Sequence, residues 1–105
     1  MRYYSLEKLM NLFDGYRKVF KIDNHQLMLL QQDGQRYLIE SNCPHRAFPL
    51  SASDVVGDEL VCPQHGYRFA IADGQLRHYS EEPCRNLRCY PLVYQQNELG
   101  VVLGE

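Results

Sequence analysis

Asn42-Cys43-Pro44-His45-Arg46 and Cys62-Pro63-Gln64-His65-Gly66 are the two stretches whose reading decides how this chain folds. Each puts one thiol and one imidazole within reach of a common centre. The four candidate ligands therefore read Cys-x-His, residues 46–61, then Cys-x-x-His. The two segments are distant in sequence, so a scaffold must fix two loops and the loops must fix the centre.

A two-cysteine, two-histidine set suits a [2Fe-2S] cluster with both cysteines on one iron and both histidines on the other. Structural zinc takes the same donors, but its familiar spacings leave about two to four residues between the first ligand pair, and here there is one. A disulfide between Cys43 and Cys62 is disfavoured in an intracellular-looking chain. A nucleophilic cysteine with a histidine base needs a third, orienting group and leaves the second Cys and His without a role. None of these alternatives uses all four residues as well.

With Pro44 and Pro63 after the cysteines and Gly66 after the second histidine, the pattern resembles the Rieske iron-sulfur family. The resemblance is specific from about Asn42 to Phe69 and looser over the rest of the chain. It implies that Cys43 and Cys62 bind the inner iron of one Rieske-type [2Fe-2S] cluster while His45 and His65 bind the outer, solvent-facing iron. Residues 46–50 and 66–69 would be the loops that wrap it. It also implies an all-β fold, a Rieske-like antiparallel β-sandwich with a small cluster-binding subdomain, in one domain spanning 1–105.

Cys-Pro-His-Arg and His-Gly-aromatic-Arg-Phe look more like the Rieske domains of ring-hydroxylating oxygenase systems than like respiratory ones. Respiratory members carry an extra cysteine in each loop, and the matching positions here hold Phe48 and Gln64. They also carry a serine and a tyrosine whose hydroxyls bond the cluster sulfurs, at positions matched by Tyr67 and Phe69. Neutral histidines place such clusters at roughly −150 to +300 mV, and the loss of hydroxyl donors places this chain near the low end.

Oxygenases that resemble this motif add a mononuclear iron held by two histidines and a carboxylate in a further domain. Here only His25 and His78 are left over, and their turn-like or polar surroundings suggest surface residues. The resemblance therefore implies a Rieske-type ferredoxin: not an enzyme, but a one-electron carrier between a flavin-dependent, NAD(P)H-linked reductase and a terminal oxygenase. Two alternatives stand beside it. One is the small Rieske-like subunit of an assimilatory nitrite reductase; the other is a zinc or iron-sulfur sensor or interaction module. For a carrier, Pro44, Phe48, Pro49 and Tyr67 would form an apolar docking face around the histidines, with Arg46 and Arg68 steering an acidic partner.

Composition is consistent with this. A chain of 105 residues fits one modest core. Eleven basic and thirteen acidic residues give a net charge of −2, with no basic stripe for nucleic acid. No apolar run approaches the ~20 residues of a membrane span, and the N-terminus lacks a secretory pattern. The expectation is a soluble, cytoplasmic monomer. Cys84 and Cys89 read as free thiols, with Cys89 the more buried beside Leu87.

The remaining pattern predicts strands joined by tight turns. These are Tyr16 to Ile22, Gln26 to Gln31, and Arg36 to Ile39 after Asp33-Gly34. Asp73-Gly74 predicts another hairpin, and Leu92 to Gln95 pairs with Leu99 to Leu103 across Asn97-Glu98. Leu6, Leu9, Met10 and Phe13 have helix-like spacing and predict a short helical turn after the first strand, with an irregular loop as the alternative.

Overall fold

The computed structural model describes residues 1–104 as β1 (Arg2–Lys8), β2 (Arg17–Ile22), β3 (His25–Gln32), β4 (Gln35–Glu40), β5 (Asp54–Val56), β6 (Glu59–Val61), β7 (Arg68–Ala70), β8 (Leu76–His78), β9 (Cys89–Tyr90), β10 (Leu92–Gln95) and β11 (Glu98–Leu103). They form three antiparallel sheets, ordered β1-β11-β10, β2-β3-β4-β9 and β5-β6-β7-β8. The all-β expectation holds.

The run Leu27-Met28-Leu29-Leu30 explains how the sheets stack. A strand with one wet face alternates apolar and polar residues, whereas a continuous apolar run suits a strand covered on both faces. All four side chains are buried. Leu27 and Leu29 join Leu6, Leu38, Leu99, Val101 and Leu103 in one core. Met28 and Leu30 point the other way, into a core with Ile39, Cys43, Leu50, Leu60, Cys62, Tyr67 and Phe69. The middle sheet thus shares one core with the sheet of the two termini and a second with the sheet that carries the second cysteine. Each fully buried Leu or Met contributes about 1.5–3 kcal/mol of apolar transfer.

Turn chemistry sets the registers. Gln32 opposes Gln35, leaving Asp33 (φ +51°) and Gly34 (φ +78°) as a two-residue loop with both residues left-handed, the form that matches strand twist. Phe69 opposes Leu76 and Arg68 opposes His78, closing the hairpin predicted at Asp73-Gly74. The last hairpin turns at Gln96-Asn97, one residue before the predicted position, because Gln95 pairs with Glu98. The β5–β6 hairpin around Gly57-Asp58 was not anticipated; its strands are only three residues each, too short to show a period.

The predicted helical turn is a single 3-10 turn, Leu9–Asn11. Leu6 belongs instead to β1, whose pairing with β11 runs from Arg2 to Lys8 with a register shift between Ser5 and Glu7. Met10 and Phe13 are largely exposed, so the helix-like spacing did not mark a buried face. No helix among the described residues is long and apolar enough to cross a membrane.

Candidate metal centre

The two ligand loops are built alike. The Cys43 amide donates to the Phe48 carbonyl at 2.8 Å, and the Cys62 amide donates to the Tyr67 carbonyl at 2.8 Å. Outside each loop the flanking residues pair antiparallel, Asn42 with Pro49 and Val61 with Arg68. Each loop therefore reads Cys-Pro, two residues, a small residue, an aromatic. The small residue is left-handed in both: Ala47 at φ +58° and Gly66 at φ +69°. This correspondence is visible in the sequence once the aromatic is aligned as well as the cysteine.

His65, at φ +73°, precedes Gly66, so two successive residues are left-handed. A Cβ on Gly66 would meet nothing within 4 Å, so the glycine serves backbone conformation and not close approach. A β-branched residue there costs on the order of 1–3 kcal/mol, and the loop can avoid that cost only by re-aiming His65. Gly66→Val is expected to lower iron per chain while leaving the far-ultraviolet circular dichroism of the strands in place. Wild-type iron content in the variant contradicts this.

The donors divide by depth. The Cys43 and Cys62 thiols are buried, at 2% and 1% exposure. Burial, first of all, pushes the Cys43 thiol up to about 11, and neighbouring Cys62 pushes the same way, while the backbone amides of His45 and Arg46 point at its sulfur and pull it down. The chain thus aims amides at one ligand sulfur, as the prolines beside the cysteines leave other loop N–H groups to do. The two imidazoles stand edge to face with centroids 5.5 Å apart. Two buried soft donors and two imidazoles, one of them open to solvent, suit a cluster with one buried and one outer iron.

Exposure differs between the histidines. The His45 side chain is 5% exposed and that of His65 34%. His45 is covered by Tyr67, which stacks on it at 4.1 Å with planes 11° apart. Tyr67 itself is fully buried and does not belong to a surface rim. Its hydroxyl donates to the Glu82 carbonyl and accepts from the Glu82 amide at 3.1 Å, so it is committed away from the loop sulfurs. Phe48 packs partly buried against the core. Ala47, Pro49, Pro63, Gln64 and His65 form the exposed rim, with Pro44 half-buried.

Residues 80–88 close over this end of the molecule. The Ser80 hydroxyl donates to the His65 carbonyl at 2.6 Å. Arg85 makes two contacts with the Glu40 carboxylate, at 2.6 and 2.7 Å, and the Arg88 amide donates to Glu40 at 2.6 Å. Leu87 inserts into the core beneath the ligand loops. The Glu81 carboxylate faces both imidazoles: Oε1 is 3.0 Å from His45 Nε2 and Oε2 is 3.8 Å from His65 Nε2. Its potential metal-ligating atom and those of His45 and His65 lie within 4.8 Å of one another. Sequence reasoning did not single out Glu81, whose only signal was its place before Pro83.

Other expectations resolve residue by residue. Arg46 is exposed beside the site, but Arg68 pairs with Glu59 at 3.3 Å across β6–β7 and is not free to steer a partner. Cys84 and Cys89 are free thiols, with the predicted order of burial reversed: Cys84 packs against the core and Cys89 is exposed. The reason is that Leu87, two residues before the edge strand β9, fills the core in place of Cys89. His78 is exposed, whereas His25 is half-buried at the start of β3, edge to face with Tyr90 at 6.1 Å, and its Nδ1 is buried without a partner.

The chain is similar to proteins of known role and structure. The ferredoxin component of the alkene monooxygenase system of Xanthobacter autotrophicus is 29% identical over 66 residues, covering 62% of this chain and 54% of that protein. The chain thus spans about half the length of that relative. The ferredoxin component of the naphthalene 1,2-dioxygenase system of Pseudomonas aeruginosa is 28% identical over 83 residues, 79% of this chain and 78% of that protein. Among solved structures, a complex of reduced oxygenase and oxidized ferredoxin in carbazole 1,9a-dioxygenase contains a chain that superposes with a TM-score of 0.79 at 22% identity, covering 94% of this chain and 91% of that one. A fluorene-bound complex of the same system gives 0.84 at 21% identity, over 98% of this chain and 29% of the matched one. At those identities the structural likeness speaks for the fold. The family model for the Rieske [2Fe-2S] domain matches residues 3–91, a span that contains both ligand loops and the closing segment, so the chain belongs to the Rieske [2Fe-2S] family and its cofactor is a [2Fe-2S] cluster.

Proposed function

We propose that Cys43 and Cys62 hold the inner iron and His45 and His65 the outer iron of the cluster. We further propose that the chain is a Rieske-type ferredoxin, passing single electrons from a flavin-dependent, NAD(P)H-linked reductase to a terminal oxygenase of the ring-hydroxylating type. It makes no product itself, and works as a cytoplasmic monomer. One observation carries the reading: two buried thiols and two imidazoles converge from twin loops, with one imidazole covered and the other open to solvent. The naphthalene dioxygenase ferredoxin, aligned over most of both chains, supports the carrier role.

When bound, a [2Fe-2S] cluster of this type takes up and releases one electron. The chain's own residues determine where that electron enters and leaves. His65, the more exposed imidazole, is the exit edge, and the exposed rim of Ala47, Pro49, Pro63 and Gln64 is the contact surface. A rim this small fits the transient redox encounters that bury less than about 1,200 Å². Arg46 offers a positive charge to an acidic partner.

Electron paramagnetic resonance of the dithionite-reduced protein tests the assignment, because it separates a mixed histidine–thiolate cluster from an all-thiolate cluster and from zinc. The midpoint is expected near about −150 mV, since the Tyr67 hydroxyl is spent on Glu82 and Phe69 has none to give. A voltammogram centred well above zero contradicts that expectation.

A further inference from the structure

Glu81 carries more than a surface charge. Its Oε1 lies 3.0 Å from His45 Nε2, a close charge contact and not an aligned hydrogen bond. Arg46 Nε donates to the same nitrogen at 3.4 Å. With its Nε2 turned to these charged groups, His45 has Nδ1 left as its ligand atom. His65 Nε2 faces the other oxygen of the same carboxylate at 3.8 Å.

The carboxylate is held in place by its neighbours. On one side the Ser80 hydroxyl grips the His65 carbonyl, and on the other both backbone polar groups of Glu82 engage the Tyr67 hydroxyl. Residue 81 is therefore suspended between two anchors on the second ligand loop, which removes most of the backbone freedom that would let it swing away.

We infer that Glu81, outside the ligand set, lowers the midpoint potential of the centre by facing the Nε2 edges of both imidazoles with its charge. This rests on the cluster assignment proposed above. The sign follows from charge. Reduction adds negative charge, which a fixed carboxylate beside the outer iron's ligands opposes. Arg46, 3.4 Å from the same carboxylate and largely exposed, acts in the opposite direction and is partly screened by solvent.

The test is Glu81→Gln in the cluster-loaded protein, read at fixed pH by voltammetry and by the resonance spectrum of the reduced state. The variant keeps the shape and removes the charge. Expected is a full complement of cluster and a midpoint raised by the equivalent of about tenfold in the reduction equilibrium constant, ~59 mV for one electron. Glu81→Asp, which keeps the charge and shortens the reach, should fall between the two. An unchanged midpoint at full loading overturns the inference while leaving the ligand assignment intact. Loss of the histidine–thiolate signal from the wild-type protein itself overturns the assignment, and the inference with it. Should Glu81→Gln fail to load, Glu81→Asp decides: drawing the charge back should raise the midpoint, and a wild-type midpoint at full loading overturns the role of Glu81.

Discussion

Cys62→Ser protein is expected to purify colourless, with iron and acid-labile sulfide reduced to background, and Cys43→Ser to behave the same way. The reason is depth. Both sulfurs sit in a core with Leu50, Leu60, Tyr67 and Phe69, away from water that could replace a missing thiolate. Metal binding requires a deprotonated ligand, and a serine hydroxyl gives up its proton far less readily than a thiol. Even the Cys43 thiol, raised to about 11 chiefly by burial, parts with its proton only in exchange for metal. The fold should outlast the cluster, because the core of Leu27, Leu29, Leu38, Leu99 and Val101 lies on the other face of the middle sheet and uses no ligand residue. Circular dichroism should keep its strand signal while melting falls, since a ligand that binds only the native state stabilises it. Wild-type iron and sulfide in Cys62→Ser would remove that residue from the ligand set.

What the sequence disclosed and what it hid follow from the range of each signal. The convergence of Cys43, His45, Cys62 and His65 was legible because a shared metal centre would call for such residue types at such spacings, and the structure brings the two loops together at one end. The hairpins at Asp33-Gly34 and near Asp73-Gly74 were legible because turn chemistry is local. The two-sided burial of β3 was written in Leu27 to Leu30 as missing alternation. Helix-like spacing misled at Leu6 because a strand bulge and a 3-10 turn can mimic a period over a few residues. Glu81, Ser80 and Glu82 were not legible, since they reach the site through contacts 15 to 36 residues away in sequence and nothing local announces them. Tyr67 was assigned to the docking surface on residue type, yet a ring beneath His45 must be buried to support it.

Tyr67 is also where the largest loss of stability is expected. Tyr67→Ala deletes a fully buried ring, leaves His45 without its stacking partner, and orphans both Glu82 backbone groups. Truncation of a buried aromatic to alanine costs about 3–5 kcal/mol, and in a domain of this size each kcal/mol lowers the melting temperature by roughly 4–8 °C. Tyr67→Phe separates the two contributions. It keeps the ring against His45 and removes only the hydroxyl that ties residue 82 to the second loop, a loss of about 0.5–1.5 kcal/mol per hydrogen bond because the exposed residue 82 can turn to water. Thermal melts should therefore rank wild type above Tyr67→Phe above Tyr67→Ala. In the phenylalanine variant, amide exchange should quicken at residues 80–83 before it changes in β3, because the tether and not the core has been cut. Equal melting of the two variants would mean that the ring contributes nothing beyond its hydroxyl, and the stack on His45 would then have no supporting role.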